Sequence, residues 1–173
     1  EDGIRDVERS RGLGDVYKRQ PYTTSTDHQE DGDWWYIGSS STRRRGTLKT
    51  VNASVIYRVG FHISQGGGST SGAVYYRIRR ASDDKILAET YVCDKSDLNP
   101  DTSPTWVEAD IGPVFVDDQV RICVEYENSY LGMTNADEDK RPDEYFTYWD
   151  GSWHNSSTVD CKYRLYTISS HVM

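Results

Sequence analysis

Residues 54–63 read Ser-Val-Ile-Tyr-Arg-Val-Gly-Phe-His-Ile, and this stretch decides the fold class of the chain. Its large apolar side chains recur at every second position: Val55, Tyr57, Val59, Phe61 and Ile63. Successive side chains of a β-strand point to opposite faces, so this spacing places all five on one face. The stretch therefore predicts a strand with one face in a hydrophobic core.

Further along the chain, the same alternation returns at Val120, Ile122 and Val124. Turn-forming sequences separate such stretches, for example the Asp-Asp pair at 117–118 and the Asp-Gly pair at 150–151. The pattern yields eight or nine short strands, and no helical periodicity lasts longer than one turn. The chain is therefore predicted to form one all-β domain over residues 34–170, either a sandwich or a barrel.

The N-terminal residues match the translated DNA of a sequencing library. Residues 15–20 read Asp-Val-Tyr-Lys-Arg-Gln, which is what GAT GTG TAT AAG AGA CAG encodes, the end sequence of transposase-based libraries. Residues 10–14 and 1–6 fit the two preceding adapter arms in order and in frame. We therefore expect residues 1–20 to be a non-native, adapter-derived segment; the alternative is a natural charged helix.

Pro21 is then the first visible residue of the natural chain, and residues 21–33 form a polar N-terminal segment. A signal peptide or further domains upstream would be unseen.

A chain that starts at Pro21 is expected to melt at the same temperature as the full chain, because a foreign segment has no selected contacts with the domain. Scanning calorimetry of the two chains checks this expectation. A fall of several degrees on deletion would show that residues 1–20 have a structural role.

Charge and hydropathy exclude two kinds of partner. The 173-residue chain has a formal net charge of −8, and residues 1–20 hold five acidic and five basic side chains, so the excess lies in the remainder. An acidic domain lacks the clustered Lys and Arg that bind nucleic acid broadly. The run Arg43-Arg44-Arg45 is its one basic cluster and is predicted to be a solvated turn. No stretch approaches the roughly 18 apolar residues of a membrane-spanning helix, so we predict neither nucleic-acid binding nor a membrane span.

Three cysteines, Cys93, Cys123 and Cys161, leave at least one thiol unpaired. Alternation turns Cys123 away from the apolar face of its strand, whereas Cys161 shares a face with apolar neighbours. If both apolar faces point inward, the two side chains diverge, which disfavours a disulfide. The spacing matches no zinc motif. Free thiols are therefore predicted.

Nine short motifs follow one another between residues 54 and 166. They are Arg58-Val59-Gly60, Gly66-Gly67-Gly68, Ile78-Arg79, Leu87-Ala88, Trp106-Val107, Val120-Arg121-Ile122, Tyr148-Trp149, Asp150-Gly151-Ser152-Trp153 and Asp160-Cys161-Lys162-Tyr163-Arg164-Leu165-Tyr166. Their order resembles that of a family of jelly-roll β-sandwich modules in secreted and virion-associated proteins. The resemblance implies an antiparallel two-sheet β-sandwich of jelly-roll type, an extracellular or virion setting and no catalytic residues. The charged stretch 135–143 departs from the family, which more often has Tyr, Pro and Gly there.

Glu125 and Glu127 are the residues to weigh for catalysis. They share a predicted strand face with Arg121 and Cys123. Retaining glycosidases need two carboxylates about 5 Å apart, yet a solvent-facing strand of an antiparallel sheet carries the same pattern. The histidines are scattered, and no Ser-His-Asp order with a Gly-x-Ser-x-Gly motif is present. The chain is therefore predicted not to be an enzyme, with a small glycoside hydrolase as an alternative.

An acidic loop is the candidate metal site. Asp137, Asp139, Asp143 and Glu144 offer the oxygen ligands that calcium prefers. The EF-hand spacing and its central glycine are missing, so a solvated acidic loop is the competing interpretation. No resident cofactor is predicted, with calcium as the alternative.

Five aromatic residues are the candidate ligand contacts: Trp34, Trp35, Tyr36, Trp149 and Trp153. Flat aromatic faces beside Asp, Asn and Arg side chains suit weak binding of sugar rings. In a strand, alternation turns the neighbours Trp34 and Trp35 to opposite faces. Trp149 is interpreted as a core residue that caps one end of the sandwich, whereas Trp153 fits either role.

Three functions remain open at this point. The leading hypothesis is a non-catalytic structural or adhesive β-sandwich module of a larger extracellular or virion protein. The first alternative is a carbohydrate-binding module appended to a glycan-active enzyme, and the second is a glycoside hydrolase. The predicted partners are a glycan or cell-surface polymer and neighbouring domains of a larger chain.

Overall fold

The computed structural model describes residues 23–25, 34–38, 42–68, 71–128, 130–136 and 141–169. Within these ranges the chain forms one short 3-10 helix, Lys95–Asp97, and eleven strands. The strands are β1 (Thr23–Ser25), β2 (Trp34–Ile37), β3 (Arg44–Ser64), β4 (Ala73–Arg80), β5 (Ile86–Asp94), β6 (Thr105–Tyr126), β7 (Leu131–Ala136), β8 (Glu144–Trp149), β9 (Trp153–Ser156), β10 (Asp160–Cys161) and β11 (Tyr163–Ser169). The predicted all-β class is confirmed. No helix in the described part of the chain is long and apolar enough to cross a membrane.

The N-terminal predictions fall mostly outside these ranges. Residues 1–20 are not among the described residues, so the adapter interpretation stays a prediction. Of the polar segment 21–33, only β1 is described, and it pairs with β11 through Thr23 and Thr167. The described sheet therefore begins before residue 34.

All the strands pair antiparallel in one curled sheet that forms a half-barrel. Its main path runs β1-β11-β3-β6-β4-β5, and the remaining strands attach through β7 and β8. The longest strands, β3 and β6, contain 21 and 22 residues and pair with each other along both of their halves. The first half of β3 lies between β6 and β8, in what we name the first wall, with β4, β5 and β9. Its second half lies between β6 and β11, in the second wall. Because β3 and β6 join the walls through continuous ladders, a jelly roll of two separate sheets stays a prediction.

A first register shift bends β3 where one wall passes into the other. It falls between Val51 and Ser54, where Ala53 has a φ of 35° and its N–H donates to Asp117 Oδ1 at 2.9 Å. The sequence predicted a turn at Asp117-Asp118, which is wrong, because Asp118 pairs with Val51 inside the ladder. A bulge bends a strand without ending it.

A second register shift, between Ile56 and Arg58, lies opposite Gly112 and Pro113. A Cβ on Gly112 would come within 2.5 Å of the Ile56 carbonyl oxygen, and proline has no N–H to pair, so both residues suit a bulge. The shift reverses the alternation of side chains. Ile56 is fully buried, whereas Tyr57 is only half-buried. The predicted core face of β3 is therefore wrong at Tyr57.

The core fills the inside of the half-barrel. Val59, Phe61 and Ile63 of β3 are fully buried, as are Ile122 and Val124 of β6. The predicted inward faces of these strands are confirmed. The alternate residues of β6 in the first wall are buried as well, so this wall is covered on both sides.

Within the described ranges Cys93, Cys123 and Cys161 are free thiols, as predicted. Cys123 and Cys161 are buried, and Cys93 is half-buried. Burial, together with the charges of Asp97 and Asp94, raises the pKa of Cys93 to about 11. Burial also raises the pKa of Cys123 and of Cys161 well above the ordinary value for a thiol. All three are therefore protonated at neutral pH.

Candidate functional site

A charged and aromatic cluster covers the outer face of the first wall and includes two of the predicted ligand residues. We name it the Arg-Trp cluster, and it consists of Arg44, Arg77, Arg79, Asp84, Arg121, Glu125, Trp149 and Trp153. The sheet register brings these residues together, because Arg44 of β3 pairs with Glu125 of β6 on one side and with Trp149 of β8 on the other. Directly paired residues of an antiparallel sheet point to the same face.

Trp149 and Trp153 lie opposite each other across the hairpin of β8 and β9. Their ring centroids are 5.4 Å apart in an edge-to-face arrangement. The guanidinium of Arg44 lies 4.9 Å from the Trp149 centroid, and that of Arg121 lies 4.5 Å from the Trp153 centroid. The Trp153 indole N–H donates to Asp84 Oδ1 at 3.1 Å. Both tryptophans are consequently half-buried parts of the outer face, so the interpretation of Trp149 as a core cap of the sandwich end is wrong.

Glu125 lies at the centre of the Arg-Trp cluster and is 2% exposed. Its Oε1 accepts from Arg79 Nε at 2.6 Å, and its Oε2 accepts from Arg79 Nη2 at 3.1 Å and from Arg77 Nη1 at 2.6 Å. Arg44 Nε lies 3.5 Å from Oε2. The expected solvent-facing position of Glu125 is wrong, because arginines from two neighbouring strands close over it.

Asp84 links this carboxylate centre to the tryptophans. It lies in the turn between β4 and β5 with a φ of 58°. Its Oδ2 accepts from Arg44 Nη1 at 3.1 Å and from Arg79 Nη1 at 3.3 Å. Burial by itself would lower the pKa of Arg79, but the hydrogen bonds and charge of Glu125 and the charge of Asp84 raise it above the ordinary value. The two carboxylates thus match two of the four arginine charges of the cluster, and Glu89 outside the cluster pairs with Arg77.

The two candidate catalytic glutamates, Glu125 and Glu127, lie in different environments. Glu125 is enclosed by guanidinium groups, whereas Glu127 is exposed just beyond the end of β6. The Glu127 main-chain oxygen accepts from Arg43 Nη1 at 2.7 Å. A catalytic carboxylate must contact its substrate, and both oxygens of Glu125 are already occupied by hydrogen bonds from Arg77 and Arg79. The pair therefore lacks the shared, open geometry of a glycosidase.

The predicted solvated turn at Arg43-Arg44-Arg45 is wrong. Arg44 and Arg45 are the first residues of β3, so their side chains leave the strand on opposite faces. Arg44 joins the Arg-Trp cluster outside, whereas Arg45 is buried inside the half-barrel. The preceding Arg43 donates to the Glu127 main-chain oxygen at the surface.

The other three predicted ligand residues lie in β2, apart from the Arg-Trp cluster. The Trp35 ring packs 5.3 Å from Phe146 on the inner side, under the guanidinium of Arg45. Tyr36 packs edge-on against Tyr130, and its hydroxyl donates to Asp101 Oδ2 at 3.3 Å. The backbone of Trp34 pairs with Thr134, and its side chain lies outside the description. The five aromatic residues therefore do not form one platform.

The acidic candidates for calcium are likewise dispersed. Asp137 and Asp139 lie outside the described residues, and Asp143 is exposed. Glu144 is buried in β8, where it accepts from Lys49 Nζ, from the Tyr163 hydroxyl at 2.7 Å and from Arg141 Nη1 at 3.2 Å. Burial alone would raise the pKa of Glu144, but these hydrogen bonds and charges hold it below the ordinary value. Among the described residues no group of three or more His, Cys, Asp or Glu side chains is arranged to hold a metal ion.

The outer face of the second wall carries a second group that the sequence did not single out. The guanidinium of Arg164 lies 4.1 Å from the Trp106 ring centroid and donates to Glu108 Oε1 at 2.9 Å. The Tyr166 hydroxyl donates to the same oxygen at 2.7 Å. Gly60 leaves room for this pair, because a Cβ there would come within 2.8 Å of the Glu108 side chain. The available signal was the alternation of these polar residues with core residues along β6 and β11.

Comparisons with known proteins do not add to this geometry. No protein-family model matches the chain, and no curated protein matches it. The jelly-roll resemblance consequently stays a prediction, and the function has to follow from the contacts described above.

Proposed function

We propose that the chain is a non-catalytic structural or adhesive module, a two-sheet jelly-roll sandwich within a larger extracellular or virion protein. The observation that carries this proposal is the closure of the Arg-Trp cluster around Glu125. Its one buried carboxylate is bound by Arg77 and Arg79, and Asp84 is bound by two arginines and by Trp153. A face whose two carboxylates are each held by at least two arginines braces the sheet and leaves neither carboxylate free for chemistry.

The cross-strand position of the cluster supports a mechanical role. Its members come from β3, β4, β6, β8 and β9 and from one turn, so ion pairs, cation–π contacts and one indole hydrogen bond together connect the first wall across its width. Bidentate contacts between arginine and carboxylate add geometric constraint as well as energy. A module that transmits load or presents a surface benefits from such a rigid outer face.

The first alternative, a carbohydrate-binding module, rests on a different observation. Trp149 and Trp153 form an edge-to-face pair in the β8–β9 hairpin, with arginine and aspartate groups beside their rings. Aromatic rings of this kind pack on the apolar faces of sugars. Against this role, Arg44 and Arg121 already lie against the rings.

A glycan array probed with the full chain separates these functions. Under the proposal we expect no saturable glycan binding that depends on Trp153 and no release of sugar, together with self-association in light scattering or retention on insoluble surface polymers. The physical reason is that the charged and aromatic groups of the Arg-Trp cluster are engaged with one another.

Two variants make the outcome decisive. Saturable binding that is lost in Trp153→Ala, and kept in Phe115→Ala, would replace the proposal with a carbohydrate-binding module. Phe115 is the matched control, because it is an aromatic residue 58% exposed on the second wall. Release of sugar by the wild-type chain would instead establish a glycoside hydrolase.

A further inference from the structure

Arg45 is a buried cation that forms no ion pair with any of the described residues. Its side chain points to the inside of the first wall, and the residue is 8% exposed. Its Nε donates to the Tyr36 carbonyl oxygen at 3.2 Å, while its Nη1 has no hydrogen-bond acceptor among the described residues. Burial lowers the pKa of Arg45 to about 10, against the opposing influence of Tyr148 and Cys161. The guanidinium is therefore still charged at neutral pH.

Three aromatic rings surround this guanidinium. Their centroids lie 5.0 Å away for Trp35, 5.6 Å for Tyr148 and 5.9 Å for Phe146. Aromatic faces attract a cation, but they do not replace a counterion. A buried charge without a paired, hydrogen-bonded partner is costly. Arg44, Arg77 and Arg79 of the neighbouring Arg-Trp cluster, by contrast, each form an ion pair with Glu125.

Asn135 of β7 supplies a second, independent observation. It is 1% exposed, and neither its amide nitrogen nor its amide oxygen has a hydrogen-bond partner among the residues described. Buried polar groups of proteins are almost always satisfied, so an amide that lacks both kinds of partner calls for an explanation. It offers a donor and an acceptor together.

The sheet register directs Asn135 toward the same interior region as Arg45. Alternation places Asn135 on the same face of β7 as Met133, whose cross-strand partner is Trp35. The ring of Trp35 is the one over which the Arg45 guanidinium lies. On the other side, Asn135 pairs with Cys161, which is one of the influences on the pKa of Arg45. The register thus directs both side chains to one region, with two donors and one acceptor that have no hydrogen-bond partner among the described residues.

We propose that Arg45 and Asn135 bind a hydroxylated carboxylate, such as an acidic sugar. The Arg45 guanidinium and the Asn135 amide nitrogen donate to the carboxylate, and the Asn135 oxygen accepts from a neighbouring hydroxyl. Trp35 and Tyr148 hold the Arg45 guanidinium in place through their ring faces. This site lies on the opposite face of β3 from the Arg-Trp cluster, so it goes beyond the proposed module function and does not depend on it.

Thermal melting of the full chain with D-glucuronate, acetate, sulfate or D-glucose tests the proposal. A ligand that binds only the folded state raises the melting temperature with its concentration. We expect the largest rise with D-glucuronate, a smaller one with acetate and none with neutral D-glucose. Sulfate is expected to act less than D-glucuronate, because it brings no hydroxyl for the Asn135 oxygen. Titration calorimetry with D-glucuronate provides the affinity.

Two variants and one control locate the effect. Arg45→Met keeps the length of the side chain and removes the charge, and it is expected to weaken D-glucuronate binding roughly tenfold or more, because a charge-assisted hydrogen bond is lost. Asn135→Asp places a carboxylate inside the protein and is expected to abolish the response by supplying the missing anion. Arg80→Met is the matched control, since Arg80 pairs with Asp83 at the surface and should leave binding unchanged.

Several results would overturn the proposal. One is the absence of any rise in melting temperature with D-glucuronate, and another is an equal response to sulfate and to D-glucuronate. A response that persists in Asn135→Asp would also contradict it, and this variant remains informative if Arg45→Met fails to fold. Without ligand, Arg45→Met is expected to melt at or above the wild-type temperature. A fall of several degrees would show that the guanidinium is already satisfied.

Discussion

Glu125→Gln is expected to lower the free energy of unfolding by about 3–5 kcal/mol, the cost of breaking a buried ion pair by removing one partner. The substitution keeps the shape of the side chain but removes the negative charge that faces Arg77, Arg79 and Arg44. Three guanidinium groups would remain on the outer face of the first wall around a neutral amide that can also donate. Urea unfolding followed by tryptophan fluorescence measures the change, with an unchanged dependence on denaturant as evidence of two-state behaviour.

Glu89→Gln is the matched control for this prediction. Glu89 accepts from the Nε of Arg77 at 2.8 Å, but its side chain is 52% exposed. Exposed ion pairs contribute about 0–1 kcal/mol, so this variant should lose no more than that. Equal losses in Glu89→Gln and Glu125→Gln would contradict the view that burial makes the Glu125 contacts important.

Phe61→Ala is expected to lower the free energy of unfolding by about 3–5 kcal/mol, the usual cost of emptying a large core position. Phe61 is fully buried in the second half of β3. Its ring centroid lies 5.0 Å from that of Tyr76 and 6.3 Å from that of Tyr163. The deletion would leave a cavity between β3, β4 and β11, which rigid strands fill only partly. Denaturant unfolding and calorimetry both report the loss.

Phe115→Ala removes the same side chain from a surface position. Phe115 is 58% exposed, so its truncation should change the free energy of unfolding by no more than about 0.5 kcal/mol. A loss of several kcal/mol in Phe115→Ala, or a loss below 1 kcal/mol in Phe61→Ala, would show that the core of the half-barrel is packed differently.

The core positions could be predicted from the sequence wherever strands are regular. Val59, Phe61 and Ile122 follow the period of two, because alternation of faces is a local property of any extended chain. Tyr57 does not lie on the predicted core face, and Asp118 does not lie in the predicted turn. Both differences arise from register shifts, which depend on how β3 pairs with a strand more than fifty residues away. A bulge leaves only a weak signal in its own sequence, here Gly112-Pro113.

In the candidate sites, too, some features could be predicted from the local sequence and others depend on distant strands. Trp149 and Trp153 meet because the Asp-Gly turn at 150–151 folds a local hairpin, and a short hairpin is readable from sequence. The partners of Glu125 come from β3 and β4, so the sequence next to Glu125 does not indicate that its side chain is buried. Arg44 forms ion pairs on the outer face, whereas Arg45 is buried inside, and this difference likewise depends on the strands around them.

The sequence by itself determined the all-β class, the inward faces of β3 and β6 and the aromatic hairpin, since each follows from interactions between residues close in the chain. Only the tertiary structure decided that Glu125 is enclosed by arginines and that Arg45 is buried without a counterion among the described residues. The physical reason is that the burial and charge environment of a side chain are set by neighbouring strands. In this protein those strands, from β2 to β8, come from distant parts of the sequence.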